Sequence, residues 1–528
     1  MKPISLIRGF VTVGLWTMLS RVLGFVRDIM IAAYLGAGPI AEAFLVAFSL
    51  PNMFRRFFAE GAFNMAFIPM FSKKLEAGEG AEDFAQDAFM GMVVLLSVFT
   101  AIGVIFMPGL VWLMASGFAG DERFDLAVEY GRLAFPYILF ISLAALMSGV
   151  LNASGRFLAA AAAPALLNII FILAVLIGAA LGMPGSDALG IGIDEALGLK
   201  VGDSLALAVP LGGIGQLGLV WWAASRAGYS FRPRWPRMTP DLKRLAIIAA
   251  PAALAGGVVQ INLLIGRQVA SFFDGAVAWL SYADRLYQLP LGVVGIAVGV
   301  VLLPDLSRRL GAGDTVGGRD AFNRAAELSL ALTIPAAVAL VAIPVPLVSV
   351  LFQRGAFASD DTMATALAVA VYGLGLPAFV LQKTLQPLFF AREDTRRPFY
   401  FAVAAMVINA GVAVGLSPVI GYIAAAIGTT LAGWGMVVLL WIGSRNMGDA
   451  ARTDSRFRQR IWRIMAASLV MGGVLWLASA AMTSLLGAPT IRYAALAVLV
   501  GIGVVTYFGV GQLFGAFKLS EFRRALRR

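Results

Sequence analysis

Long runs of apolar residues, separated by short polar segments, recur from one end of the chain to the other. Runs of about 20 residues match the hydrocarbon thickness of a bilayer when they form helices. The runs are continuous and do not alternate with a period of two, which excludes the strands of a membrane β-barrel. The pattern therefore predicts an all-α, polytopic integral membrane protein.

We predict fourteen transmembrane helices, centred near residues 22, 54, 100, 138, 169, 212, 256, 291, 339, 374, 408, 431, 473 and 504. Composition agrees with this, because 60% of the 528 residues are hydrophobic and only 13% are charged, far from the balance of soluble domains. No polar stretch is long enough to form a separate soluble domain.

The chain also repeats itself. The segment PMFSKKLEAG at 69–78 closes the second span, and PDLSRRLGAG at 304–313 closes the eighth. Two further pairs of residues share a separation of 241 positions: Pro136 with Pro377, and Asn168 with Asn409. We predict two parallel six-helix repeats, as in some transporters, with an N-lobe at 1–230, a C-lobe at 231–446, and spans 13 and 14 with a basic tail at 447–528.

The net charge of +11 indicates topology and contact with anionic membrane lipids, and no nucleic-acid partner is expected. If the N-terminus is cytoplasmic, segments on that side hold 29 of the 41 Lys and Arg residues, the opposite side holds four, and eight lie in spans. The excess of positive charge inside predicts that both termini are cytoplasmic.

Several kinds of chemistry are excluded by absence. The chain has no cysteine and no histidine, which removes disulfides, thiol nucleophiles and imidazole acid-base catalysis. No lysine follows a glycine, so there is no Walker A motif. We expect a transporter and not an enzyme, with no cofactor and no metal site, and with energy supplied by the membrane potential or an ion gradient.

Charged residues nevertheless occur within or beside the spans, mostly in spans 1, 2, 7 and 8. A charge at the centre of a membrane helix costs about 2.5–3.5 kcal/mol on insertion scales, so such residues usually face a cavity or a partner. One shared cavity would explain the whole set: Arg21, Arg27, Asp28, Glu42, Arg55, Arg56, Glu60, Arg267, Asp284, Arg285 and Lys383.

We predict that Arg21, Arg27 and Arg285, supported by Arg55, bind an anion such as a phosphate or pyrophosphate. Arginine suits this task because its planar fork donates paired hydrogen bonds and keeps its charge at low dielectric. The alternative is that these arginines only pair with carboxylates and tie helices together.

Four carboxylates are candidates for supporting the charge of these arginines or for gating: Asp28, Glu42, Glu60 and Asp284. Among them, Asp28 is the expected partner of the span 1 arginines when no anion is bound. Two residues are predicted hinges. Gly24 lies between the span 1 arginines, and Pro51 interrupts the hydrogen bonding of span 2.

Three segments carry a resemblance to a known family: SRVLGFVRD at 20–28, EAFLVAFSLPNMFRRFFAEGAFNMAFIP at 42–69, and YADRLYQLPLGVVGIAVGVVLLP at 282–304. They resemble the MurJ (MviN) lipid II flippases of the multidrug/oligosaccharidyl-lipid/polysaccharide exporter superfamily. The resemblance covers essentially the whole chain. It implies transport of the lipid-linked peptidoglycan precursor, lipid II, from the inner to the outer leaflet of the bacterial cytoplasmic membrane by alternating access.

By motif, the important central arginines of that family fall on Arg21, Arg27 and Arg285, and its span 2 arginine and acid fall on Arg55 and Glu60. The family often has aspartate where this chain has Glu42. A sodium site known in some members has no clear acidic signature here. The resemblance also implies a groove for the polyprenyl tail along spans 13 and 14. We expect a monomer, with cell-wall synthases as possible partners.

Two alternatives stay open at this point. The first is a flippase for another polyprenyl-pyrophosphate-linked oligosaccharide, or a drug/cation antiporter of the same superfamily, although an antiporter for cations should have an acidic centre. The second is an integral-membrane glycosyltransferase or polymerase, which would need catalytic carboxylates in a large external loop. The only long external segment, 185–204, is acidic but lacks a basic or aromatic framework.

Overall fold

The computed structural model describes residues 6–56, 62–180 and 201–517, apart from positions 233 and 236. It does not describe the side chains at 6–11, 62–65, 250–259, 293–301 and 303. All regular elements in this part of the chain are helices, as the apolar runs predict. Glu60 and most of the external segment at 185–204 lie outside the described residues.

The first half of the chain forms ten α-helices within the described ranges. They are α1 (Leu6–Leu35), α2 (Pro39–Arg55), α3 (Ala62–Ala77), α4 (Ala81–Ile105), α5 (Met107–Met114), α6 (Glu122–Ala134), α7 (Tyr137–Ala153), α8 (Leu158–Ala180), α9 (Val201–Arg226) and α10 (Pro240–Ala270). A 3₁₀ turn at Ser116–Phe118 precedes α6.

The second half continues in the same way. Its helices are α11 (Ala276–Gly311), α12 (Thr315–Ala342), α13 (Pro344–Phe352), α14 (Ser359–Phe390), α15 (Arg396–Ile420), α16 (Ile423–Ser444), α17 (Ser455–Ala481), α18 (Thr483–Gly487) and α19 (Arg492–Leu513). A 3₁₀ turn at Asp449–Ala451 precedes α17.

Among the described residues, ten helical segments are long and apolar enough to cross a membrane. They coincide with predicted spans 3 to 6 and 9 to 14. The regions of predicted spans 1, 2, 7 and 8 are also helical, in α1, α2 with α3, α10 and α11. The predicted multi-span helical architecture is therefore confirmed.

The apolar runs of spans 3 and 9 are each longer than one helix. A short second helix, α5 or α13, follows the main one, and each has a proline in its first turn. Proline fits the first turn of a helix because the N–H that it lacks would have no partner there. Hydrophobicity alone does not show such a break, so the sequence predicted one continuous helix in each place.

Packing divides the chain into two compact units. The first consists of the described residues up to Ala278 together with Arg354–Phe357, and the second of Trp279–Gln353 and the described residues from Ala358 onward. Packing and sequence repetition are different properties, so the division into two six-helix repeats stays a prediction.

Within the first unit, α8 packs against α1 and α9, and α2 packs against α6. Within the second unit, α16 packs against α14 and α15, and α17 packs against α12 and α19. The short loop between α1 and α2 lies against residues 354–357. Gly36 has a φ of +61° there, and a Cβ at this position would lie 2.4 Å from the Ala356 carbonyl oxygen, so only glycine fits.

Candidate anion-binding site

Arg27 and Asp28, adjacent on α1, form a buried ion pair. Each residue is only 7% exposed. The Asp28 Oδ1 atom accepts hydrogen bonds from Arg27 Nη2 at 2.7 Å and from Arg27 Nε at 2.9 Å. A buried guanidinium and carboxylate are tolerated only with good geometry and further hydrogen bonds. The structure therefore pairs two of the three charges that the sequence places in span 1.

Two other helices complete the surroundings of Arg27. Its Nη1 atom donates to Oδ1 of Asn168 on α8, at 2.9 Å. Its guanidinium carbon lies 5.4 Å from the ring centroid of Phe171 on α8 and 5.8 Å from that of Phe48 on α2. These distances allow attraction between the cation and the aromatic rings. Helices α1, α2 and α8 together thus fix the position of one guanidinium.

The hydrogen-bonding capacity of Arg27 is only partly used. A guanidinium carries five N–H groups, and three of them bond to Asp28 and Asn168. The other two make no hydrogen bond to any residue that the structure describes. Arg27 therefore keeps two N–H groups whose donor capacity its present contacts do not use.

Arg21 lies on α1, two turns before Asp28, and is half-buried. Seven residues along a helix return to nearly the same face, so Arg21 lies on the Asp28 side of α1. Helix α1 runs unbroken through Gly24. A Cβ at Gly24 would lie 3.5 Å from Asn168 Nδ2, which is an ordinary contact distance. The predicted hinge role of Gly24 stays a prediction.

Arg55 occupies the last turn of α2, and its Nε donates to Asn52 Oδ1 at 3.3 Å. Pro51 lies inside the same helix and has no N–H to donate. Around it, Ser49 Oγ donates to the Leu45 carbonyl at 2.6 Å and Asn52 Nδ2 donates to the Phe48 carbonyl at 2.8 Å. The side chains on either side of Pro51 thus donate hydrogen bonds to backbone carbonyls of the preceding turn. The hinge role of Pro51 is likewise a prediction.

Glu42, which is 1% exposed, belongs to a different cluster of the first unit. Its Oε2 atom accepts from Arg123 Nη1 at 3.0 Å, and its Oε1 atom accepts from the backbone N–H of Val277 at 3.0 Å. Val277 lies in the first turn of α11, where backbone N–H groups lack helical partners. Glu42 therefore caps α11 and pairs with Arg123, and not with the span 1 arginines.

Arg123 is the centre of this second cluster. Besides Glu42, it bonds to Asp121 (Nε to Oδ2, 2.5 Å) and to Asp274 (Nη2 to Oδ1, 3.0 Å). Burial alone would raise the pKa of Asp121, but hydrogen bonds from the backbone N–H and guanidinium of Arg123 outweigh it and lower that pKa. Sequence reasoning missed Arg123 because the segment GDERFD resembles an ordinary polar turn.

The remaining predicted residues lie in the second unit or outside the described residues. Asp284 and Arg285 are both on α11, where Asp284 is half-buried and Arg285 is exposed. The Asp284 carboxylate accepts a hydrogen bond from the side-chain amide of Gln288, one turn later. Glu60 is not described. Within the described ranges, no group of three or more acidic residues could hold a metal ion.

A family model described as lipid II flippase MurJ matches residues 31–493. The probable lipid II flippase MurJ of Rhizobium meliloti (strain 1021) is 43% identical over 534 residues, covering 99% of this chain and 97% of the relative. The chain belongs to the lipid II flippase MurJ family. The probable MurJ of Rhizobium tropici is similar, with 42% identity over 99% of this chain and 97% of its own length.

Solved structures agree on the fold. A lipid II flippase MurJ in an inward closed conformation matches with a TM-score of 0.77 and 24% identity, covering 98% of this chain and 100% of its own. An inward-facing multidrug resistance MATE family transporter of the MOP superfamily matches with a TM-score of 0.65 and 17% identity, covering 87% and 99%. The likeness to this MurJ structure therefore shows the same fold over 98% of this chain.

Proposed function

We propose that this protein is a lipid II flippase, a transporter and not an enzyme, which moves the lipid-linked peptidoglycan precursor across the bacterial inner membrane. Membership of the MurJ family supports the substrate, because the curated relatives are named lipid II flippases over nearly their full length. The multi-pass helical architecture supports the location. The protein thus serves cell-wall synthesis and cell shape.

The observation that carries the mechanism is the buried Arg27. Lipid II joins a large polar head to a lipid through a pyrophosphate, and moving such a head through hydrocarbon without compensation is prohibitive. A guanidinium fixed on three membrane helices, with two N–H groups still to donate, suits a pyrophosphate oxygen pair. We assign Arg27 to the anion, with Arg21, Arg55 and Arg285 as further ligands.

The transport cycle follows from the predicted repeats. We propose that two six-helix bundles alternate between inward-open and outward-open arrangements around the bound head, while the polyprenyl tail stays in lipid beside spans 13 and 14. The chain has no Walker A motif, so the membrane potential or an ion gradient supplies the driving force. The distribution of Lys and Arg supports cytoplasmic termini, and we propose that the protein acts as a monomer beside cell-wall synthases.

Growth of a bacterium depleted of its own lipid II flippase tests this function. The wild-type chain should restore growth, and Arg27→Gln should fail to do so while reaching the membrane in equal amount. Arg308→Gln is a matched control, since Arg308 pairs with Asp305 at an exposed site, and it should restore growth. Failure of the wild-type chain, shown to be folded, would favour a different polyprenyl-pyrophosphate substrate. Full growth with Arg27→Gln would refute the role of Arg27.

A further inference from the structure

Asn168 is a buried amide in the middle of α8, and it is only 6% exposed. All of its hydrogen-bonding atoms contact defined partners. The Nδ2 group donates to the Ser20 carbonyl at 2.9 Å, and lies 3.3 Å from both Ser20 Oγ and the Pro164 carbonyl. The Oδ1 atom accepts from Arg27 Nη1. Asn168 therefore links α8 to α1 at two residues, Ser20 and Arg27.

The orientation of this amide follows from its partners. If the amide were rotated by 180°, its oxygen would face two carbonyl oxygens and its NH₂ group would face the N–H groups of Arg27. Both arrangements are unfavourable because they bring acceptor to acceptor and donor to donor. The Ser20 and Pro164 carbonyls thus determine that an oxygen, and not a nitrogen, faces Arg27.

The charge of that oxygen matters as much as its position. Arg27 and Asp28 together carry no net charge. A second carboxylate in place of Asn168 would add one negative charge beside Arg27 and would weaken its attraction for a phosphate. An amide oxygen accepts the same hydrogen bond without adding negative charge, so the remaining N–H groups of Arg27 stay attractive to an anion.

We propose that Asn168 is a positioning residue for anion recognition: it holds the Arg27 guanidinium in place with a neutral acceptor, so that the two N–H groups left over face a pyrophosphate. The inference rests on the proposed function, because it assigns the pyrophosphate of lipid II to Arg27. Sequence analysis found Asn168 only as a landmark of the internal repeat.

A double-mutant cycle tests the proposal on the full chain in lipid nanodiscs, with lipid II as the probe and inorganic pyrophosphate as a competitor. We expect Asn168→Asp to weaken lipid II binding about tenfold or more, which corresponds to about 1.4 kcal/mol. In an Arg27→Gln background, the neutral substitution Asn168→Leu should change the affinity less than about twofold, because Asn168 acts through Arg27. Inorganic pyrophosphate should compete less well in Asn168→Asp than in the wild type.

Gln216→Glu is the matched control. Gln216 is a buried amide of the same unit, 2% exposed; it accepts from Tyr137 Oη at 3.3 Å and donates to the Ala163 carbonyl at 2.9 Å. The folded fraction of this variant, measured by size-exclusion chromatography, should bind lipid II as the wild type does. In the wild-type background, Asn168→Leu, which removes the acceptor of Arg27 Nη1 without adding charge, should weaken lipid II binding about threefold.

An equal loss of affinity from Asn168→Leu in both backgrounds would overturn the proposal, and so would unchanged binding by both Asn168 variants. These results differ from a failure of the proposed function, in which the folded wild-type protein itself binds no lipid II.

Discussion

At the scale of single residues, Arg27 and Glu42 are buried in the membrane helices with specific partners. Arg27 has Asp28 and Asn168, and Glu42 has Arg123 and a helix N-terminus. Each arrangement satisfies a charge that would be costly to bury alone. The two clusters differ in unused hydrogen-bonding capacity. Arg27 retains N–H groups that donate to none of the described residues, whereas both carboxylate oxygens of Glu42 already accept hydrogen bonds.

Arg123→Gln should destabilise the protein strongly. Removal of one member of a buried ion pair leaves the other charge uncompensated, which costs about 3–5 kcal/mol, and Glu42 is nearly inaccessible. The apparent melting temperature in detergent measures this effect. An exposed pair contributes about 0–1 kcal/mol, so Arg308→Gln should hardly change the melting temperature.

Two further results would bear on this explanation. Part of the lost stability should return when Glu42→Gln is combined with Arg123→Gln, because the unpaired carboxylate is then absent. If Arg123→Gln lowered the melting temperature no more than Arg308→Gln does, the buried pair would not stabilise the fold as we describe.

At the scale of helices, α1 and α8 meet through a glycine and an amide. Helix α1 is continuous at Gly24, and alanine would make only ordinary contacts with Asn168 there. Any functional need for glycine at this position would therefore come from bending during transport and not from packing in the observed arrangement.

We expect Gly24→Ala to fold and bind lipid II normally and to transport it more slowly. Alanine stabilises the straight helix by about 0.5–1 kcal/mol relative to glycine, so bending at this position becomes less favourable. Gly14→Ala is the control, since Gly14 lies earlier in α1 with no neighbouring atom within 4 Å of an added Cβ. Binding affinity and transport rate should be measured on the same preparations. Transport by Gly24→Ala at the wild-type rate would remove Gly24 as a hinge.

Helices and buried charges were predictable from the sequence because they depend on local composition. Apolar runs give the helices, and charges inside those runs single out Arg27 and Asp28. The partners of these charges were not predictable, because they depend on which helices pack together in three dimensions. Asn168 lies 141 positions from Arg27, and Phe48 and Phe171 sit in apolar runs where a core-facing ring looks the same as a lipid-facing one. Arg123 lies in a polar turn, 81 positions from Glu42.

At the scale of the whole molecule, the anion site that we propose for this lipid II flippase is centred on Arg27 in the first unit. Helices α1, α2 and α8 define that site within one compact unit. Contacts made within one compact group of helices, such as those of Arg27 with Asp28 and Asn168, can persist while other parts of the protein rearrange. This property suits a transporter that must hold its substrate through a change of access.

Translocation of purified lipid II in proteoliposomes, followed with and without a membrane potential and a sodium gradient, tests the central claim most directly. The wild-type protein should move lipid II to the opposite leaflet under at least one of these conditions, and Arg27→Gln should reduce the rate at least tenfold while Arg308→Gln does not. No translocation by the folded wild-type protein under any gradient, or equal rates for wild type and Arg27→Gln, would contradict the account.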